Sequence, residues 1–204
     1  MKTLVFGLLL AAISASADDG SPAIRLYTDF QQTPPHVVLA SLQDEVARIM
    51  APMGLGFKWS SLAENRGNEL SVKVAVIHFT GACDTIQSAT QPTRTSALGW
   101  SYMEDGVVLP FSTIDCDGIR AFLRSDLVGK PKEEVDESFG RAIGRVIAHE
   151  LYHIFVNTTR HSSHGIAKSY YSPQELLSKH FRFEQKESDE LRRSWSDVTT
   201  GDSE

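Results

Sequence analysis

The sequence predicts an α+β fold, one twisted mixed β-sheet flanked by helices. Alternating apolar runs mark strands, most clearly the "LSVKVAVIHF" of residues 70–79. Apolar residues at helical spacing mark helices, the longest from about Glu133 to about Val156. The order is strand, helix, strand, strand, hairpin, helix, long helix, irregular loop, helix, which suits a single sheet with helices packed against it.

The elements follow in chain order. "MKTLVFGLLLAAISASA" has a basic residue, Lys2, an apolar run from Leu4 to Ile13 and the small-residue triplet Ala15-Ser16-Ala17. It reads as a signal peptide spanning residues 1–17, which predicts a secreted or periplasmic protein. Ala23–Tyr27 alternates as a strand does. A helix follows, with Thr33 as its cap, Pro34 and Pro35 in its first turn and Val38, Leu42, Val46 and Ile49 or Met50 on its buried face. Pro52 and Gly54 end it, "GFKWS" is a short strand and "AENRGNE" a polar loop. "LSVKVAVIHF" is the clearest strand, with His78 read as a packed core histidine.

A polar stretch follows Cys83. Residues 97–103 and 107–111 then flank Glu104-Asp105-Gly106, a hairpin signal. Asp115 caps a helix to about Leu127 with Cys116 in its first turn, and "GKPKEE" is a charged linker. In the long helix Phe139, Ile143, Val146, Ile147, Leu151 and Ile154 form a wide apolar stripe. Gly140 and Gly144, four apart, imply a close approach to the sheet. "SPQELLSKHFRF" opens the last helix, with Ser172, Pro173 and Glu175 forming a capping box. Its continuation, "FRFEQKESDELRRSW", is a solvated face of mixed charge, and His36 and His180 lie on helix surfaces.

The 204 residues suffice for one domain with a real core, placed at 18–195 and followed by a disordered acidic tail at 196–204. A formal net charge of −6 argues against non-specific nucleic-acid binding. No other run is apolar enough to span a membrane, so no membrane association is expected after leader removal, and the chain is expected to be a monomer. The two cysteines, Cys83 and Cys116, are expected to pair in an oxidising compartment, adding about 3–4 kcal/mol in the chain-entropy model.

"AHELYHIFVNTTRHSSHG", residues 148–165, holds four of the seven histidines. His149 and His153 are four apart on one helix face and can share an ion. Glu150 points about 100° away from His149, where it can reach an ion-bound water without ligating the ion. This is the H-E-x-x-H pattern of zinc hydrolases, with two ligands and a general base. Such a site wants a third protein ligand. A straight helix would carry His161 about 12 Å further along its axis, so the chain must turn back. Asn157 can take the left-handed conformation that ends helices, and "NTTRHSSHG" is rich in turn formers. The candidates rank His161, then His164, then Glu175. Asn157-Thr158-Thr159 also fits the N-glycosylation pattern, which we read as coincidence.

This segment resembles the active-site segment of zincin metalloproteases, more particularly the metzincin branch, and most of all a group of small secreted bacterial zincin-like proteins. It matches their spacing at His149, Glu150, His153, His161 and Gly165. The resemblance implies one zinc ion on His149, His153 and His161, with Glu150 as base. It also implies a sheet whose edge strand lies beside the cleft. Metzincins have a glycine where this chain has Val156, and a methionine turn downstream, whereas the last methionine here is Met103. Ile166 or Ala167 would stand in that turn's place. The implied activity is hydrolysis of a peptide or protein substrate through zinc-activated water. Tyr170 or Tyr171 could donate to the tetrahedral oxyanion, and a substrate could add to the edge strand near "LGWSY". The competing expectation is a secreted zinc-stabilised binding protein without turnover, which would have no need of Glu150.

Overall fold

In a computed structural model, the chain is described at residues 24–64, 71, 73–86 and 97–200, with side chains to 197. The leader, most of the polar stretch after Cys83 and the last four residues lie outside that range. Ten main elements appear: β1 (Ile24–Phe30), α1 (His36–Met50), β2 (Phe57–Ser61), β3 (Val74–Thr80), β4 (Gly99–Glu104), β5 (Val107–Asp115), α2 (Cys116–Leu127), α3 (Lys132–Val156), α4 (Pro173–Leu177) and α5 (Gln185–Thr200).

The sheet order is β2-β1-β3-β5-β4. Neighbours pair in parallel except β4, which runs antiparallel to β5 at one edge. This is the mixed sheet expected of an α+β fold. The β4–β5 turn places Asp105 and Gly106 at φ of 50° and 82°, which an Asp-Gly pair tolerates. On β3 the alternation is carried through: Ala75, Ile77 and Phe79 are buried, while Val76, His78 and Thr80 are half-buried on the other face. The buried residues meet Val38, Leu42 and Val46 of α1, Ile119 and Leu123 of α2, and Ile143, Val146 and Ile147 of α3 in one core. The Cys83–Cys116 disulfide pins the chain after β3 to the first turn of α2. Asp115 caps that helix by accepting from the Gly118 N–H at 2.9 Å.

Several expectations change. α1 begins after both prolines, because Pro35 is extended (ψ 144°), and Thr33 makes no cap. His78 is not a core residue: its side chain is 43% exposed, and Nδ1 meets Asp29 Oδ2 of the neighbouring strand at 2.8 Å. Gly140 and Gly144 do permit a close approach, but to α1 rather than to the sheet. A Cβ on Gly140 would lie 2.5 Å from the Val38 carbonyl oxygen, and one on Gly144 2.7 Å from that of Leu42.

The Ser172–Glu175 capping box forms, yet the helix it opens stops at Leu177 and α5 is a separate helix. The cause is Arg145, fully buried on α3. Its guanidinium donates to the Glu175 and Ser178 carbonyls at 2.8 and 2.6 Å. A continuing helix would need the Glu175 carbonyl for the Lys179 N–H. His180 is therefore exposed on an extended connection rather than on a helix. α5 runs on to Thr200, so the helix extends past residue 195, where the acidic tail was expected to begin. No described helix is long and apolar enough to cross a membrane.

Candidate metal centre

α3 carries the histidine pair on consecutive turns, and the helix stops where expected. Asn157 adopts φ 51°, ψ 55°, and its N–H closes on the His153 carbonyl. Its side chain does a second job: Oδ1 accepts from the Val108 N–H at 2.8 Å, tying the helix end to β5. The chain then turns back and brings His161 over the pair. Its ring centroid lies 5.2 Å from that of His149 and 4.9 Å from that of His153. Each of the three rings offers a nitrogen, all within 4.8 Å of one another. His164 is exposed and bonds Ser163, and Glu175 is held by the capping box and Lys168; neither joins the cluster.

The backs of the two helix histidines are anchored. His149 Nδ1 meets the Ile166 carbonyl at 2.7 Å, and His153 Nδ1 meets that of Thr158 at 2.6 Å. A carbonyl only accepts, so both Nδ1 atoms carry the proton and both Nε2 atoms present lone pairs. Those Nε2 atoms lie 2.9 Å apart. Two bare lone pairs at that distance repel, and a shared cation relieves the repulsion. All three imidazoles are held in the neutral, ligating form. Burial pushes His149 down to about 3, with the neighbouring His153 adding to the effect and the Ile166 bond opposing it. Burial also lowers His153 and His161. Three neutral imidazoles without a thiolate suit a catalytic zinc with one open position.

Ile166 and Ala167 are buried, and the Ile166 carbonyl meets the His149 ring from behind. Gly165 before them has φ 69°, and a Cβ there would meet the Arg182 carbonyl at 2.6 Å. Tyr171 does not face the cleft with its hydroxyl. It lies 2.7 Å from His149 Nδ1 and donates to the Ile166 carbonyl, behind the ring rather than beside Nε2. Burial raises its pKa, so it remains a donor. Tyr170 is 77% exposed and forms part of the open wall of the pocket.

Glu150 is 3% exposed. Burial raises its carboxyl to about 7, opposed by a hydrogen bond from Ser101 Oγ of β4 to Oε2 at 2.7 Å. Gly99 makes this possible, since a Cβ there would lie 2.7 Å from Val146 Cγ1 and 3.1 Å from Glu150 Oε1. Ser101 and Gly99 were not singled out from the sequence as site residues; the signal was present in "LGWSY", the stretch expected to be the edge strand. A cavity of about 480 Å³ opens over the histidines and Glu150, walled by Trp100 and Met103 of β4, Phe122 of α2 and Tyr170. Polar and apolar side chains both line it, so the histidines and Glu150 share the cavity with large apolar groups such as Trp100, Met103 and Phe122.

No protein-family model matches the sequence, and no curated protein matches it. Solved structures do. The crystal structure of archaemetzincin from Methanopyrus kandleri aligns over 88% of this chain and 99% of that one, with 14% identity and a TM-score of 0.52. A zinc-dependent peptidase from Methanocorpusculum labreanum aligns over 83% and 100%, with 13% identity and a TM-score of 0.53. The chain therefore has the fold of archaemetzincin and of that zinc-dependent peptidase.

Proposed function

We propose that the protein is an exported, monomeric zinc metallopeptidase that hydrolyses internal peptide bonds, with His149, His153 and His161 as ligands of one zinc ion and Glu150 as general base. The observation that carries the reading is the juxtaposition of three neutral imidazoles with a buried carboxylate on one wall of a substrate-sized cleft. Two solved structures of this fold are named for zinc-dependent peptidase and archaemetzincin, which supports the same reading. The Cys83–Cys116 bond supports export, since disulfides persist in oxidising compartments.

Zinc, when bound, supplies Lewis acidity, polarising a carbonyl and making water more acidic. Glu150 takes a proton from the attacking water and passes it to the leaving amine. Ser101 donates to Glu150 Oε2 and fixes the carboxylate in the cleft wall. A substrate strand pairs with the edge strand β4, and Tyr170, which lines the cleft and has no hydroxyl hydrogen bond among the described residues, donates to the developing oxyanion.

The test is Glu150→Gln beside wild type, assayed for zinc content and for cleavage of an unstructured protein substrate. Wild type should bind one zinc and cleave; the variant should retain zinc and lose cleavage by a factor of at least about 100. Undiminished cleavage by the variant refutes the assignment of Glu150. A wild type that holds zinc without cleaving any peptide supports a zinc-stabilised binding protein instead.

A further inference from the structure

A second cavity, of about 450 Å³, shares no lining residue with the histidine pocket. It lies between the end of α1, the extended connection from α4 to α5, and α5 itself. Its cationic side chains are Arg48, Lys179, Arg182 and Arg192, with His180 beside them, and among the described residues no carboxylate lines it. That concentration occurs on a chain whose formal net charge is −6. Two of the cations are answered from outside the cavity: Arg48 by Glu45 at 2.6 Å and Arg192 by Asp189 at 2.5 Å. Lys179 and Arg182 have no side-chain hydrogen bond or ion pair among the described residues. The connection explains their direction. Phe181 and Phe183 are buried, leaving His180 and Arg182 exposed. Ile49, Pro52, Met53 and Phe183 supply apolar wall.

We propose that this cavity binds an organic anion. Its carboxylate, phosphate or sulfonate group sits between Lys179 and Arg182, and its apolar body lies against Met53 and Phe183. Guanidinium and ammonium groups that lack a protein partner bind oxyanions through charge-assisted hydrogen bonds. A cleft of one sign focuses the field and raises the local anion concentration. The volume is that of a small-molecule site.

The test uses anilinonaphthalene sulfonate, a sulfonate on an apolar ring system, titrated by fluorescence into the full-length protein. Binding should saturate at one site and weaken as salt is raised, and inorganic phosphate should displace the dye. Lys179→Ala with Arg182→Ala should weaken binding about tenfold or more, while the charge-preserving Lys179→Arg retains it. Both changed side chains are exposed, and a thermal melt coincident with wild type confirms the fold. His149→Ala should leave the affinity unchanged. Equal binding by the double variant, loss of binding in His149→Ala, indifference to salt and phosphate, or no saturable binding would each overturn the proposal.

Discussion

Gly140→Ala tests the packing that holds the histidine helix in place. A Cβ at this position would lie 2.5 Å from the Val38 carbonyl oxygen, 2.8 Å from Ser41 Cβ and 3.1 Å from Val38 Cα. Two of these three atoms are backbone of α1 and cannot rotate away. Ordinary contact is restored only if α1 and α3 part by roughly 1 Å, across an interface that runs the length of α1. Overpacking costs about 1–3 kcal/mol, and a rigid obstacle puts this site at the upper end. Alanine returns about 1 kcal/mol through its better helix propensity. The net loss is about 2 kcal/mol, or about 4–8 °C in Tm for a chain of this size. Thermal unfolding followed by circular dichroism reads it directly. Gly56→Ala is the control, since no atom lies within 4 Å of a Cβ there. A Gly140→Ala protein that melts at or above the wild-type temperature would refute the close-approach argument, leaving only the propensity term.

Two further outcomes follow from the structure. Tyr171→Phe removes a hydroxyl that lies against His149 Nδ1 and the Ile166 carbonyl, and should lower zinc affinity about 10–100-fold in competition with a chelator; unchanged affinity would show that the Ile166 carbonyl alone orients the ring. For Glu45, burial disfavours the charged form, but hydrogen bonds from Arg48 and Arg145 outweigh it and hold the carboxyl below its ordinary value of 4.5. A depressed carboxyl contributes stability that is fully present above its unfolded pKa and is lost as pH falls through the folded one. Urea unfolding should therefore show wild type losing stability on acidification below about pH 4.5 more steeply than Glu45→Gln. Parallel curves would mean that this ion pair does not contribute.

The parts of the site that are local in sequence were legible as sequence. Four-residue spacing puts His149 and His153 on one face, adjacency sets Glu150 to the side, and Asn157 is a residue type that ends helices. The need for a returning ligand then pointed to His161. What binds these residues from a distance was not legible. The Ile166 carbonyl, Ser101 and Gly99 lie 17, 49 and about 50 residues from their partners on α3. No periodicity encodes such pairings. Glycine spacing announced a close approach at Gly140 and Gly144, but which element approaches is a tertiary choice, and α1 takes the place assigned to the sheet. The break between α4 and α5 likewise follows from an arginine 30 residues upstream that captures the Glu175 carbonyl. His78 lay on a strand with both faces partly occupied, and strand alternation alone did not tell the core face from the one that carries Asp29.

The three imidazoles are not mounted alike. His149 and His153 ride on one rigid helix, with their rings fixed from behind by peptide carbonyls. His161 rides on a surface loop closed by the Ser162 N–H to Ala167 carbonyl bond and a single bridge from Ser162 to Lys168. Of the three candidate donors, two are therefore preset by the helix and one is carried by the loop. An ion held there would enter and leave from the loop side, with the helix pair retaining it during each opening. For the zinc site proposed above, the lifetime of the bound state would then depend on the loop and its tight turn at Gly165, and the position of the ion on the helix.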